Sequence, residues 1–244
     1  MQRGRRCFFN TKNCGGVLMN QFTTTVLIIL IGAVVGVLME KSTSYLIKRR
    51  VNTLRYHQFS GSLSKTIFWA MMNATIWLIL VKLNGLDART LEVMLLLSIG
   101  MILSVIDISI KKIPNELVLM TLIIGGAFAI TGQPLTSIGT NIFGLVIGFI
   151  IFFLPAMLGK GAGWGDVKYA AAVGFCLGGY GILSAILIMT LFLMIFAAYL
   201  IIRGKGNLKS KVALGPFMAS GFAAVLLLNL LNTNYQLFEW GMLF

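Results

Sequence analysis

Charge is scarce in this 244-residue chain: 11% of the residues are Asp, Glu, Lys or Arg, against 58% that are hydrophobic. A soluble domain carries about 25% charged residues, so an ordinary water-soluble globule is excluded. A disordered chain is excluded as well, because it would need far more polarity to stay solvated. Histidine and cysteine are also scarce. His57 is the only imidazole, and Cys7, Cys14 and Cys176 form neither a disulfide framework nor a paired CxxC clip. Metal sites need several converging ligands, so no structural or catalytic zinc is expected. One imidazole also leaves Ser–His–Asp and Cys–His catalysis poorly supplied. Acids are rarer than bases, with 7 Asp+Glu against 20 Lys+Arg and a net charge of +13. In a soluble protein that imbalance would suggest nucleic acid. Here the bases stand between apolar runs, without a patch of interleaved aromatics, so nucleic acid is not expected as a partner.

What the chain has in quantity is long apolar sequence. A hydrocarbon layer about 30 Å thick is crossed by about 20 apolar helical residues. About eight stretches qualify, over roughly 22–39, 66–83, 91–109, 116–131, 138–158, 167–180, 182–202 and 212–231. Their length, and the lack of strand-like alternation, make them helices. The fold class expected is all-α, a polytopic membrane helical bundle of about eight transmembrane helices. The sixth stretch is short and rich in Gly and Ala, which suits close helix approach in the bundle interior. A turn at Gly178-Gly179-Tyr180-Gly181 divides it from the seventh.

Lys and Arg set the orientation. Basic residues fill Glu40 to Lys65, then Lys111-Lys112, Lys160 with Lys168, and Arg203 to Lys211, while the loops between are nearly neutral. In an eight-helix chain all four basic loops fall on one side, which is expected to be the cytoplasm. Both termini then lie outside. The leading tail opposes that topology with Arg3, Arg5, Arg6 and Lys12, and a start at Met19 would remove the conflict. Residues 1–21 are read as a basic N-terminal tail, and 22–244 as one membrane-embedded domain with a short basic cytoplasmic loop at 40–65.

Of the three aspartates, Asp87 reads as a solvated turn residue beside Arg89. Asp107 ends the apolar run from Met94 to Ile106, and Asp166 follows the glycine-rich turn Gly159 to Gly165. Both belong on the cytoplasmic side at similar depth. An acid at a membrane span is a functional hypothesis by default. Three readings stay open: ordinary interfacial pairs with Lys111, Lys160 or Lys168, ion sites of a proton- or cation-coupled transporter, or a catalytic pair. In the last, two carboxylates share one proton in a low-dielectric site. The ionised one activates water against a peptide carbonyl, and the protonated one polarises that carbonyl and then assists the leaving amine. This chemistry needs neither metal nor cysteine. The glycines beside Asp166 leave the main chain open to an extended peptide segment, or serve a tight turn.

Three blocks carry a family resemblance. Gly163-Trp164-Gly165-Asp166-Val167-Lys168 resembles the GxGDxK signature of prepilin peptidases, the type IV leader peptidases among the GxGD-type membrane aspartyl proteases. Asp107 followed by Ile113-Pro114-Asn115 resembles that family's first motif, and Leu214-Gly215-Pro216-Phe217 a third block near the last helix. The resemblance covers roughly residues 90–222. It implies that Asp107 and Asp166 are the catalytic pair, that Gly163, Gly165 and Lys168 support the second acid, and that Pro114 and Asn115 shape the loop after the first. It implies prepilins or pseudopilins as substrates, cut on the cytoplasmic side between a basic leader and an apolar helix. It implies no cofactor for the cleavage. Many members also N-methylate the new terminus with S-adenosylmethionine and carry two CxxC pairs in the first cytoplasmic loop. Glu40 to Lys65 has no cysteine, so the resemblance does not carry methyl transfer over to this chain. The basic loop is instead suited to anionic lipid headgroups.

Overall fold

The computed structural model describes residues 11–50, 63–130, 138–159, 163–203 and 213–235, with side chains described from residue 23 to residue 231 within those segments. Seven helices follow one another: α1 (Thr11–Arg50), α2 (Leu63–Asn84), α3 (Ala88–Ile110), α4 (Asn115–Ile130), α5 (Ile138–Met157), α6 (Trp164–Ile202) and α7 (Gly215–Tyr235). Among the described residues there is no strand. Five helices are long and apolar enough to cross a membrane, and α4 and α7 are shorter apolar helices. The all-α bundle is therefore the fold.

The eight expected segments and the seven helices differ at Gly178. Its backbone, with φ 74° and ψ 179°, breaks α6 in a region only glycine enters readily. The chain folds back there. Ala170 and Val173 on one side share a cavity of about 10 Å³ with Ala185 and Met189 on the other. A straight helix would hold Ala170 and Met189 roughly 28 Å apart. The sixth and seventh apolar stretches are thus two arms of one hairpin, with Asp166 and Arg203 at the same end.

α1 also departs from expectation. It begins at Thr11 and runs to Arg50, past the apolar stretch 22–39 on both sides. Lys48, Arg49 and Arg50 complete its last turn, where cations suit the negative end of the helix dipole. The basic loop at 40–65 therefore starts as helix, and its residues 51–62 lie outside those described, as do residues 1–10 of the tail.

α3 and the first arm of α6 form the core: Val93, Leu96, Leu103, Ile106, Val167, Tyr169, Ala170 and Ala172 are fully enclosed. Glycines set the distance between α5 and α6. A Cβ at Gly144 would lie 2.2 Å from the Gly174 carbonyl oxygen, and one at Gly148 would lie 2.4 Å from that of Ala170. A polar chain ties α1, α2 and α3. Trp77 Nε1 donates to Ser98 Oγ (3.2 Å), Ser98 to Asn73 Oδ1 (2.9 Å), and Asn73 Nδ2 to the Gly32 carbonyl (2.8 Å). Satisfying these groups internally matters where no water reaches.

Candidate active site

Asp107 stands one turn from the C-terminal end of α3. The helix stops because Lys111 turns left-handed (φ 51°, ψ 40°), with its N–H still bonded to the Asp107 carbonyl at 2.8 Å. Buried Pro114 then opens α4, its carbonyl accepting the N–H groups of Leu117 and Val118. Proline's fixed φ and missing donor cost nothing in that position. The turn from α3 to α4 thus takes the four residues from Lys111 to Pro114.

The Asp107 side chain, only 5% exposed, reaches across to α7. Its Oδ2 accepts the Gly215 N–H at 2.7 Å. Gly215 is the first residue of α7, so the carboxylate sits at the positive end of that helix. The contact admits no side chain at residue 215, where a Cβ would lie 2.7 Å from Asp107 Cβ and 2.8 Å from Oδ2.

Asp166, half-buried, is held at the start of its own helix. Gly163 caps α6 in extended conformation and donates its N–H to Asp166 Oδ2 at 2.7 Å. This is the half of a capping box that the third helical residue supplies, and glycine has no side chain to supply the other half. Each carboxylate is therefore oriented by one backbone amide through one oxygen. Among the described residues no second hydrogen bond reaches either side chain. The Asp107 and Asp166 carboxylates also lie within electrostatic reach of each other.

The remaining residues of the two motifs meet pairwise. A Cβ on Gly165 would lie 3.0 Å from that of Ile113, so the turn before Asp166 rests on the turn after Asp107. Lys168 Nζ donates to Asn115 Oδ1 at 3.3 Å, which directs this ammonium toward α4. Next to Asn115, Glu116 pairs with Arg50 (3.1 Å) and Arg49 (3.6 Å), fixing the end of α1 to the start of α4. The part of Pro114 is to start α4.

Gly163, Gly165, Lys168, Pro114 and Asn115 thus all stand around the two acids, at one end of the bundle. Lys160 lies outside the described residues. Gly215 is the participant that its own motif signals least. A Gly-Pro pair reads as a helix start, and only the fold shows an aspartate 108 positions away bound to it. Among the described residues no group of three or more His, Cys, Asp or Glu converges as a metal site would require.

Residues 94–202 match the type IV leader peptidase family. The chain is similar to a prepilin leader peptidase/N-methyltransferase of Pectobacterium carotovorum subsp. carotovorum, 31% identical over 147 residues. A protein of the same description from Bacillus subtilis (strain 168) is 25% identical over 138 residues. These alignments take in 57% and 56% of this chain, and 52% and 55% of the two relatives. The chain thus spans about half the length of the curated relatives it matches. No solved structure matches it significantly. The matched segment, residues 94–202, carries both Asp107 and Asp166.

Proposed function

We propose that this chain is a membrane aspartyl endopeptidase that removes the leader from type IV prepilins or pseudopilins, with Asp107 and Asp166 as its catalytic pair. The observation that carries the proposal is the convergence of three distant motifs. Asp107 is seated by Gly215, Asp166 by Gly163, and the loops following and preceding them touch through Ile113 and Gly165.

In this reading one amide holds Oδ2 of each aspartate and leaves Oδ1 for the reaction. The ionised carboxylate takes a proton from water, and the resulting hydroxide attacks the scissile carbonyl carbon. The protonated carboxyl hydrogen-bonds the carbonyl oxygen and stabilises the charge that develops there. The proton then passes to the leaving amine as the C–N bond breaks. The glycines at 163 and 165 keep the backbone beside Asp166 bare, so that an unwound substrate segment can lie against it with strand-like hydrogen bonds.

Charge placement supports a cell-membrane location with this end in the cytoplasm. Lys48, Arg49, Arg50, Lys111, Lys112, Lys168 and Arg203 all stand at helix ends on the aspartate side. The same cations favour anionic headgroups, each contributing about 1 kcal/mol near the surface. The test is incubation of the detergent-solubilised protein with a prepilin-type substrate and S-adenosylmethionine, with mass spectrometry of the new N-terminus. A single cut between the basic leader and the apolar helix, leaving an unmethylated terminus, is expected. Intact substrate would contradict the proposal, and a methylated terminus would restore methyl transfer to this chain.

A further inference from the structure

The most enclosed helix of the bundle has one stripe that no other helix covers. Leu103 and Ile106 of α3 are fully enclosed, whereas Leu96, Leu97, Gly100, Met101 and Ser104 line an open cavity of about 450 Å³ bounded by α2 and α7. Their spacing of three and four residues puts them on one helix face. Continued one turn further, that face reaches Asp107. The opposite wall leads to the same place, because its first residue, Pro216, follows the Gly215 whose N–H seats the Asp107 carboxylate. The cavity therefore begins within a turn of the aspartate and leads away from it into the apolar thickness. Along α7 it extends from Pro216 to Leu227, roughly 16 Å or three helical turns.

Its walls ask for an apolar occupant. The two hydroxyls that line it are both bonded within their own helices, Ser104 to the Gly100 carbonyl and Ser220 to that of Phe217, each at 2.8 Å. Gly100, Ala219 and Ala223 add no bulk, which lets another backbone come close. A helix meets these terms inside a membrane, since its main-chain groups are satisfied internally.

We infer that this cavity is the docking groove for the apolar helix of the substrate, the segment that adjoins the scissile bond. The inference rests on the peptidase reading above, because continuity with Asp107 is what distinguishes a substrate helix from a lipid chain. A peptide seated in the groove leaves it beside the carboxylate, where the helix must unwind to be cut.

Photo-cross-linking tests this directly. With p-benzoylphenylalanine in place of Met101, in lipid nanodiscs with a prepilin-type substrate, adducts are expected on the first turns of the substrate's apolar helix. Their yield should exceed at least tenfold that from the same probe at Leu187, which is 70% exposed on the second arm of α6. Adducts to lipid alone, which would mean an acyl chain in the groove, or equal yields from both positions, would overturn the inference. Gly100→Leu provides a second arm. A Cβ there meets Ala219 Cβ at 3.8 Å and the Tyr169 hydroxyl at 3.9 Å, which are ordinary contacts, and the leucine adds bulk beside Ala219 of the groove wall. It should lower the Met101 yield at least tenfold in folded protein, and an unchanged yield would count against docking. Helix adducts without cleavage would sink the peptidase reading and keep the groove. Cleavage without such adducts would do the reverse.

Discussion

Three glycines near the aspartates differ in how much room each has, and the distances rank them. A Cβ at Gly215 would lie within 3 Å of three atoms of the Asp107 side chain, so the carboxylate itself must move. At Gly165 the nearest atom is Ile113 Cβ at 3.0 Å, and at Gly163 it is Asp166 Oδ2 at 3.4 Å. Misplacing a catalytic group by about 1 Å can cost about 10²-fold in rate. Gly215→Ala is therefore expected to reduce cleavage by about that factor, and Gly165→Ala by less. Gly163→Ala, whose backbone φ of −91° any residue adopts, should leave cleavage within about threefold of wild type. Rates for the three variants at matched folded concentration check the order, and equal losses would contradict it. The motif-level reading assigned support to Gly163 and Gly165 and none to Gly215. A glycine's function lies in what its missing side chain makes room for, and that neighbour is set by tertiary packing.

At the scale of the element, the apolar runs were legible because they are long and carry few charges. The basic residues between them mark one end of the bundle, and both acids stand at helix ends there. Helix ends were less legible. Charged side chains do not stop a helix, so α1 runs through Lys41 and Lys48 to Arg50 although its apolar stretch ends near residue 39. The hairpin within α6 was legible as a glycine turn, and its sharpness depends on Gly178. Gly178→Ala must place a Cβ at φ 74° and ψ 179°, a strain of about 1–3 kcal/mol. A lowered Tm and a lower yield of folded protein are expected, and an unchanged Tm would show that the turn tolerates side chains. Gly144→Ala tests the packing of the same hairpin against α5. Its Cβ would lie 2.2 Å from the Gly174 carbonyl, a backbone atom that can yield only if a helix moves, so a marked loss of folded protein is expected in detergent extracts.

At the scale of the whole molecule, two kinds of interaction hold the site's end together, and they differ in strength. The ion pairs of Glu116 with Arg49 and Arg50 are largely exposed, and such pairs contribute about 0–1 kcal/mol. Glu116→Gln should shift Tm only slightly, and a large shift would show that this contact anchors α1. The backbone bonds to the aspartates, buried from Gly215 and exposed from Gly163, are the ones that orient the site. Orientation can be tested separately. In a cysteine-free background, a cysteine at exposed Lys112 should react with an impermeant maleimide only when the cytoplasmic face is accessible, and one at Asp87 only from the other face. The reverse pattern would invert the topology read from the basic loops. The central claim, that Asp107 and Asp166 act as one catalytic pair, is tested most directly by single-turnover cleavage of a prepilin-type substrate by wild type, Asp107→Asn and Asp166→Asn, each with its Tm measured. Loss of cleavage in both variants, with Tm kept, is the result expected. Cleavage retained in either folded variant would contradict it.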